Sequence, residues 1–102
     1  MPPTRSLRLD RYVIEVLLRD LVGHDRQPSA YLVYLVLYAR AADAPRGRVT
    51  LSLRDIADAT GLSKSVVQVS LRTLKRRQLV CATAPHCTAT PTYRVLRPWM
   101  RA

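Results

Sequence analysis

Residues 52–80, SLRDIADATGLSKSVVQVSLRTLKRRQLV, constrain this chain more than any other stretch. They read as a short helix, a tight turn at Gly61 and a longer helix opening at Ser63. Ser52 and Asp55 fit the S-x-x-D pattern in which a side chain and a backbone amide cap each other at a helix start. Ser63 is placed to cap the second helix. The charge changes character at the same place. All seven Asp and Glu lie before residue 59, where nine Arg leave an excess of only +2. From residue 59 onward Lys64, Arg72, Lys75, Arg76, Arg77, Arg94, Arg97 and Arg101 give +8 with no acid against them. A paired-helix motif inside an acid-free basic half is the footprint expected of a chain that docks on a polyanion.

The rest of the composition narrows the classes. At 102 residues there is room for one domain with a single core. A hydrophobic content of 48% excludes wholesale disorder. Fifteen of the seventeen basic residues are Arg, a bias that codon composition can produce, so the segregation of the acids carries more weight than the Arg count. Met1–Arg11 holds no apolar run, and the longest such run, Ala30–Ala39, has ten residues, against about 20 for a bilayer span. A soluble, cytoplasmic protein with no membrane role is expected. Cys81 and Cys87 make no disulfide framework, and both are expected to be reduced, Cys81 as a small buried hydrophobe. Cys81, His86, Cys87 and His24 lack metal-ligand spacing, so neither metal nor cofactor is expected. With Glu15 the only Glu, and no nucleophile triad or phosphate-cradling Gly loop, the chain reads as a non-enzyme.

Along the chain, residues 1–8 form a basic arm and residues 9–102 a single domain. Leu9–Val22 is expected to be an accessory helix stopped by Gly23. Leu9, Val13, Val16, Leu17 and Leu21 form its stripe, and Ile14 and Leu18 widen it. Ser29–Ala42 is apolar all round, with Tyr31, Leu35 and Tyr38 on one side and Val33 and Leu37 on the other, as in a helix covered on most faces. Asp43–Arg48 is a loop, and Val49–Leu51 suits a short strand. Leu79–Ala84 and Thr92–Leu96 read as a hairpin with a Pro/His/Thr-rich tip.

Together, the pattern IA…TGLS.S.V…L..L….LV and the following hairpin, ending YRVLRP, resemble the winged helix-turn-helix domains of bacterial regulators such as the MarR and GntR families. They equally resemble those of plasmid and phage replication proteins. The resemblance covers residues 29–97. It implies a mainly α fold with a small β-hairpin wing, preceded here by an extra N-terminal helix (residues 9–23). Two departures stand out. Gln78 occupies a position where these families often carry Gly, so a left-handed backbone there would be strained. The wing tip, APHCTATPT, has no Arg or Lys, which puts a minor-groove contact by the tip in doubt.

On a helical wheel Val67, Leu71, Leu74 and Gln78 fall within about 40° of one another and form the core face. Ser65, Val69, Arg72 and Arg76 fall opposite, with Gln68 on one flank and Val66 and Thr73 on the other. In helix-turn-helix docking the N-terminal part of the second helix enters the major groove. Ser63, Lys64, Ser65, Gln68, Val69 and Arg72 are therefore the candidates for base or nearby phosphate contact. Gln suits adenine, Arg suits guanine, and an outward Val suits a thymine methyl. Lys75, Arg76 and Arg77 are candidates for phosphate.

The resulting expectation is a sequence-specific transcription regulator on double-stranded DNA. A replication or plasmid-maintenance factor would use the same groove chemistry. A protein-interaction winged helix fits less well, because protein interfaces do not call for one-sided charge. Residues 9–22 and 29–42 carry more apolar surface than one small fold is expected to hide, which points to a homodimer.

Overall fold

The all-round apolar helix is the pillar of the structure. In the computed structural model, which describes residues 6–84 and 89–100, α1 (Pro28–Ala42) packs against the N-terminal segment, both later helices and the sheet. Pro28 opens it, where a missing amide costs nothing. Ala30, Tyr31, Val33, Tyr34, Leu37 and Tyr38 are buried around it, as its pattern predicts. Tyr31 donates to the Val13 carbonyl at 3.0 Å and Tyr34 to the Leu96 carbonyl at 2.9 Å, so α1 is tied to both ends of the chain.

Helix follows strand from there. β1 (Arg48–Thr50) leads into α2 (Leu53–Thr60), then α3 (Lys64–Arg76), β2 (Val80–Thr83) and β3 (Thr92–Val95). The strands form one antiparallel sheet in the order β1-β3-β2. The expected two-stranded hairpin is therefore completed by β1, which starts one residue earlier than the sequence suggests. Val49 and Tyr93, buried, and Ala82, partly buried, face the helices.

Both helix starts behave as their caps require. Ser52 Oγ accepts from the Asp55 amide at 3.0 Å, and Asp55 Oδ2 accepts from the Ser52 amide at 3.1 Å. The bond from the Ser52 backbone, with that from its side chain, lowers the Asp55 carboxyl below its ordinary value. α2 ends at Gly61, left-handed at φ 79°, which a side chain would strain.

α3 ends differently. Leu79 donates to the Leu74 carbonyl at 2.9 Å and Gln78 to that of Lys75 at 3.0 Å, the paired bonds of a Schellman stop. The residue that must be left-handed is Gln78, at φ 59°. The strain anticipated at Gln78 is thus present. Its place on the buried face is not: it lies beyond the last helical turn and is exposed. Gln78→Gly is expected to raise unfolding free energy by about 0.5–1 kcal/mol, relief of the left-handed penalty exceeding the added unfolded-state entropy. A denaturant midpoint that does not rise would show that this turn carries no strain.

The N-terminal segment departs most from expectation. It is helical, but Val13–Leu17 and Arg19–His24 are wound as π-helix, with the Leu18 amide bonding the Val13 carbonyl and that of Asp25 the Asp20 carbonyl. Val13, Leu17 and Leu21 are buried on one edge, while Ile14, Leu18 and Val22 form an exposed line beside them. The C-terminal residues fold back over its start: Trp99 stacks on Tyr12 at 4.6 Å between ring centroids, and its Nε1 donates to Asp10 Oδ2 at 3.0 Å. Residues 1–5 of the basic arm and residues 85–88 of the wing tip, with His86 and Cys87, lie outside the described residues. Cys81 is exposed, which corrects its reading as a buried hydrophobe: its strand alternation turns it to the outer face of the sheet. Among the described residues no helix is long and apolar enough to cross a membrane.

Candidate nucleic-acid interface

α3 divides cleanly. Val67, Ser70, Leu71, Thr73 and Leu74 are buried against α1 and α2. Ser63, Lys64, Ser65, Gln68, Val69, Arg72 and Arg76 are all exposed. The helix thus presents an outward face with two hydroxyls and an amide near its start and cations along its length. Val69 is 43% exposed. An aliphatic side chain so placed lies outside the core, whereas Val67, two positions earlier, is fully buried.

The N-terminus of α3 is set by local bonds. Ser63 Oγ accepts from the Val66 amide at 3.2 Å and lies 3.2 Å from Ser65 Oγ. The Thr60 hydroxyl steadies the turn from the α2 side, donating to the Ile56 carbonyl at 2.8 Å and accepting from the Leu62 amide at 3.2 Å. The turn between the two helices is thereby held by local hydrogen bonds, with the Thr60 hydroxyl working from the α2 side.

Two features were not anticipated. Ser70 is fully buried and donates to Ser29 Oγ at 2.9 Å, a polar pin between α3 and the first turn of α1. Its position three residues after Val67 places it on the buried stripe. Only its polarity argued against burial, and the partner that satisfies it lies 41 residues away.

Arg77 does not join the outward cationic set. Its guanidinium lies between two acids of the N-terminal segment, Nη2 3.5 Å from Asp20 Oδ2 and Nε 3.2 Å from Asp25 Oδ2. The second approach is off the hydrogen-bond direction, so Asp25 Oδ2, buried, is held by charge rather than by a directed bond. The charge expected to meet phosphate is here neutralised within the fold, and it ties the end of α3 to the accessory segment. Acids remote in sequence supply the partners, and nothing in the 52–80 motif signals them.

No group of His, Cys, Asp and Glu able to hold a metal ion occurs among the described residues. Comparison with known proteins bears on the same region. The model of the IclR helix-turn-helix domain matches residues 40–81, from the last turn of α1 through α2 and α3 into β2. No curated protein and no solved structure is similar enough to the chain to match it. The capped α2–turn–α3 pair, the three-stranded sheet behind it and this match together identify a winged helix-turn-helix DNA-binding domain, with α3 as its second helix.

Proposed function

We propose that the protein is a sequence-specific, non-enzymatic transcription regulator of bacterial type that reads the DNA major groove with α3. In this reading Gln68, Val69 and Arg72 contact base edges, Ser63, Lys64 and Ser65 fix the helix start on the adjacent backbone, and Lys75 and Arg76 meet phosphates further along. Arg77 acts indirectly, by holding the accessory segment. The observation that carries the proposal is the exposed, acid-free face of α3, in which a Val is turned to solvent among donors and cations. Selection from random duplexes by the full chain should enrich a short motif. Binding that is tight but enriches no motif would count against sequence reading.

The proposed regulator acts as a homodimer. Tyr31, Tyr34 and Tyr38 are buried within a single chain, so the seam is narrower than the two whole helices. What remains exposed there includes the line of Ile14, Leu18 and Val22, with Leu32 on α1, 37–50% exposed. A second copy covering this line would place two α3 helices on one duplex, as paired half-sites require. At micromolar concentration sedimentation should give about twice the 11.5 kDa chain mass, and Leu18→Glu should return one chain mass without loss of helical signal. A parent protein that sediments as a single chain would refute the pairing.

A further inference from the structure

A recess of about 260 Å³ opens where the start and the end of the chain meet the last turns of α1. Arg8 and Asp10 wall it on the N-terminal side, Tyr38 and Ala42 along α1, and Val95 and Arg97 at the exit of β3. Among the described residues, none of α3 takes part. The volume is that of roughly nine water molecules, below the roughly 300–1,000 Å³ of pockets that take drug-sized ligands. The recess is half-enclosed, and Ala42, Val95 and Tyr38 give it apolar walls.

The polar groups around it have donors to spare. Arg97 Nη1 stands 3.7 Å from Asp10 Oδ2, beyond hydrogen-bond reach, and that oxygen already accepts from Trp99 Nε1 at 3.0 Å. Arg8 is exposed and, among the described residues, pairs with no carboxylate. Neither guanidinium donates a hydrogen bond to a described residue. Nor does the Tyr38 hydroxyl, unlike those of Tyr31 and Tyr34, have a partner among them. A guanidinium carries its N–H donors in a fork that matches a carboxylate. Two arginines against one aspartate leave a net positive charge at the recess. The set therefore suits one negatively charged acceptor carried on an apolar body.

We propose that this recess binds a small organic monocarboxylate with a compact aliphatic body. Arg8 and Arg97 hold the carboxylate, and the hydrocarbon part lies against Ala42, Val95 and Tyr38. A phosphodiester would meet the same charge but make no use of the apolar walls, and a cation would meet a site of its own sign. Because the walls come from both ends of the chain and from α1, occupancy fastens the start of the chain to α1 and β3. The site goes beyond the DNA reading and does not depend on it.

Trp99, the single tryptophan, reports on the site, because its indole N–H is bonded to Asp10 at the wall. Titrating the full chain with isovalerate at constant ionic strength should give a saturable change in its fluorescence. Isovaleramide keeps the body and lacks the charge; acetate keeps the charge and lacks the body. Each should bind about tenfold more weakly than isovalerate, or worse. Arg8→Gln should weaken isovalerate by about tenfold with unchanged melting temperature, since the Arg8 guanidinium forms no ion pair among the described residues. Ala42→Leu adds bulk at an exposed position of the wall and should weaken isovalerate by filling the recess. An isovalerate response that does not saturate, or that acetate matches, overturns the site. So does an isovalerate affinity left unchanged in either variant. The α3 reading is judged apart from all of these, by whether the parent binds duplex at low salt.

Discussion

Arg72→Ala is expected to lower affinity for the preferred duplex by about 1–3 kcal/mol, roughly five- to 150-fold, and to relax base preference at one position. Arg72 is exposed on the outward face of α3, one turn beyond Gln68 and three residues past Val69. A guanidinium reading guanine O6 and N7 makes two directed bonds that other bases cannot reproduce, so its loss shows as a change in the ratio of preferred to scrambled binding. Arg76→Ala is the contrast. One turn further from the helix start, it should weaken both duplexes alike and flatten the salt slope by about one unit. Val67→Ala controls for stability: the side chain is fully buried, so about 1–3 kcal/mol of folding energy should be lost with base preference unchanged. Equal losses on both duplexes for Arg72→Ala would mean that Arg72 positions the protein and does not read it.

Local signals in the sequence carried most of the motif. Ser52 with Asp55, Gly61, and Ser63 each act within four residues, and each stands where its chemistry placed it. Gln78 is also a local effect: a Schellman stop needs a left-handed residue after α3, whatever side chain happens to be there. Several of the misses are of longer range. Arg77 looked free because its acids, Asp20 and Asp25, come from a segment more than 50 residues earlier. The burial of Ser70 carries no signal in the α3 motif, because the hydroxyl that satisfies it belongs to Ser29, 41 residues earlier. Cys81 was assigned to the core before the register of β2 against β3 fixed which face it joins. The π winding of the N-terminal segment had no sequence signal at all. Apolar residues at 13, 17 and 21 are equally compatible with an α-helical stripe, and only the hydrogen bonds separate the two.

Tyr34 is where the largest loss of stability is expected. Its side chain is fully buried at the centre of α1, its ring lies 5.9 Å from that of Tyr38, and its hydroxyl bonds the Leu96 carbonyl just beyond β3. Tyr34→Ala should cost about 3–5 kcal/mol, from lost burial and the cavity left behind. Domains of this size are held by only about 5–15 kcal/mol, so part of the chain could be unfolded at 37 °C. Tyr34→Phe keeps the packing and removes only the hydroxyl. It should cost about 1–3 kcal/mol if the Leu96 carbonyl is then left without a partner. The two variants also differ from the parent in pH dependence. Burial, reinforced by neighbouring Tyr38, raises the Tyr34 hydroxyl well above its ordinary value of 10.0, and burial raises Tyr31 and Tyr93 in the same direction. A group raised on folding gives its full stabilisation below its unfolded value and loses it as pH climbs toward the folded one. The parent should therefore weaken above about pH 10 as the unfolded chain ionises these hydroxyls first. Tyr34→Phe should show a shallower alkaline limb, because one of the three linked groups is gone. Urea midpoints at pH 7 and at pH 10.5 measure both effects. A Phe variant that loses stability between those pH values as steeply as the parent would remove Tyr34 from the alkaline transition, whatever its worth at neutral pH.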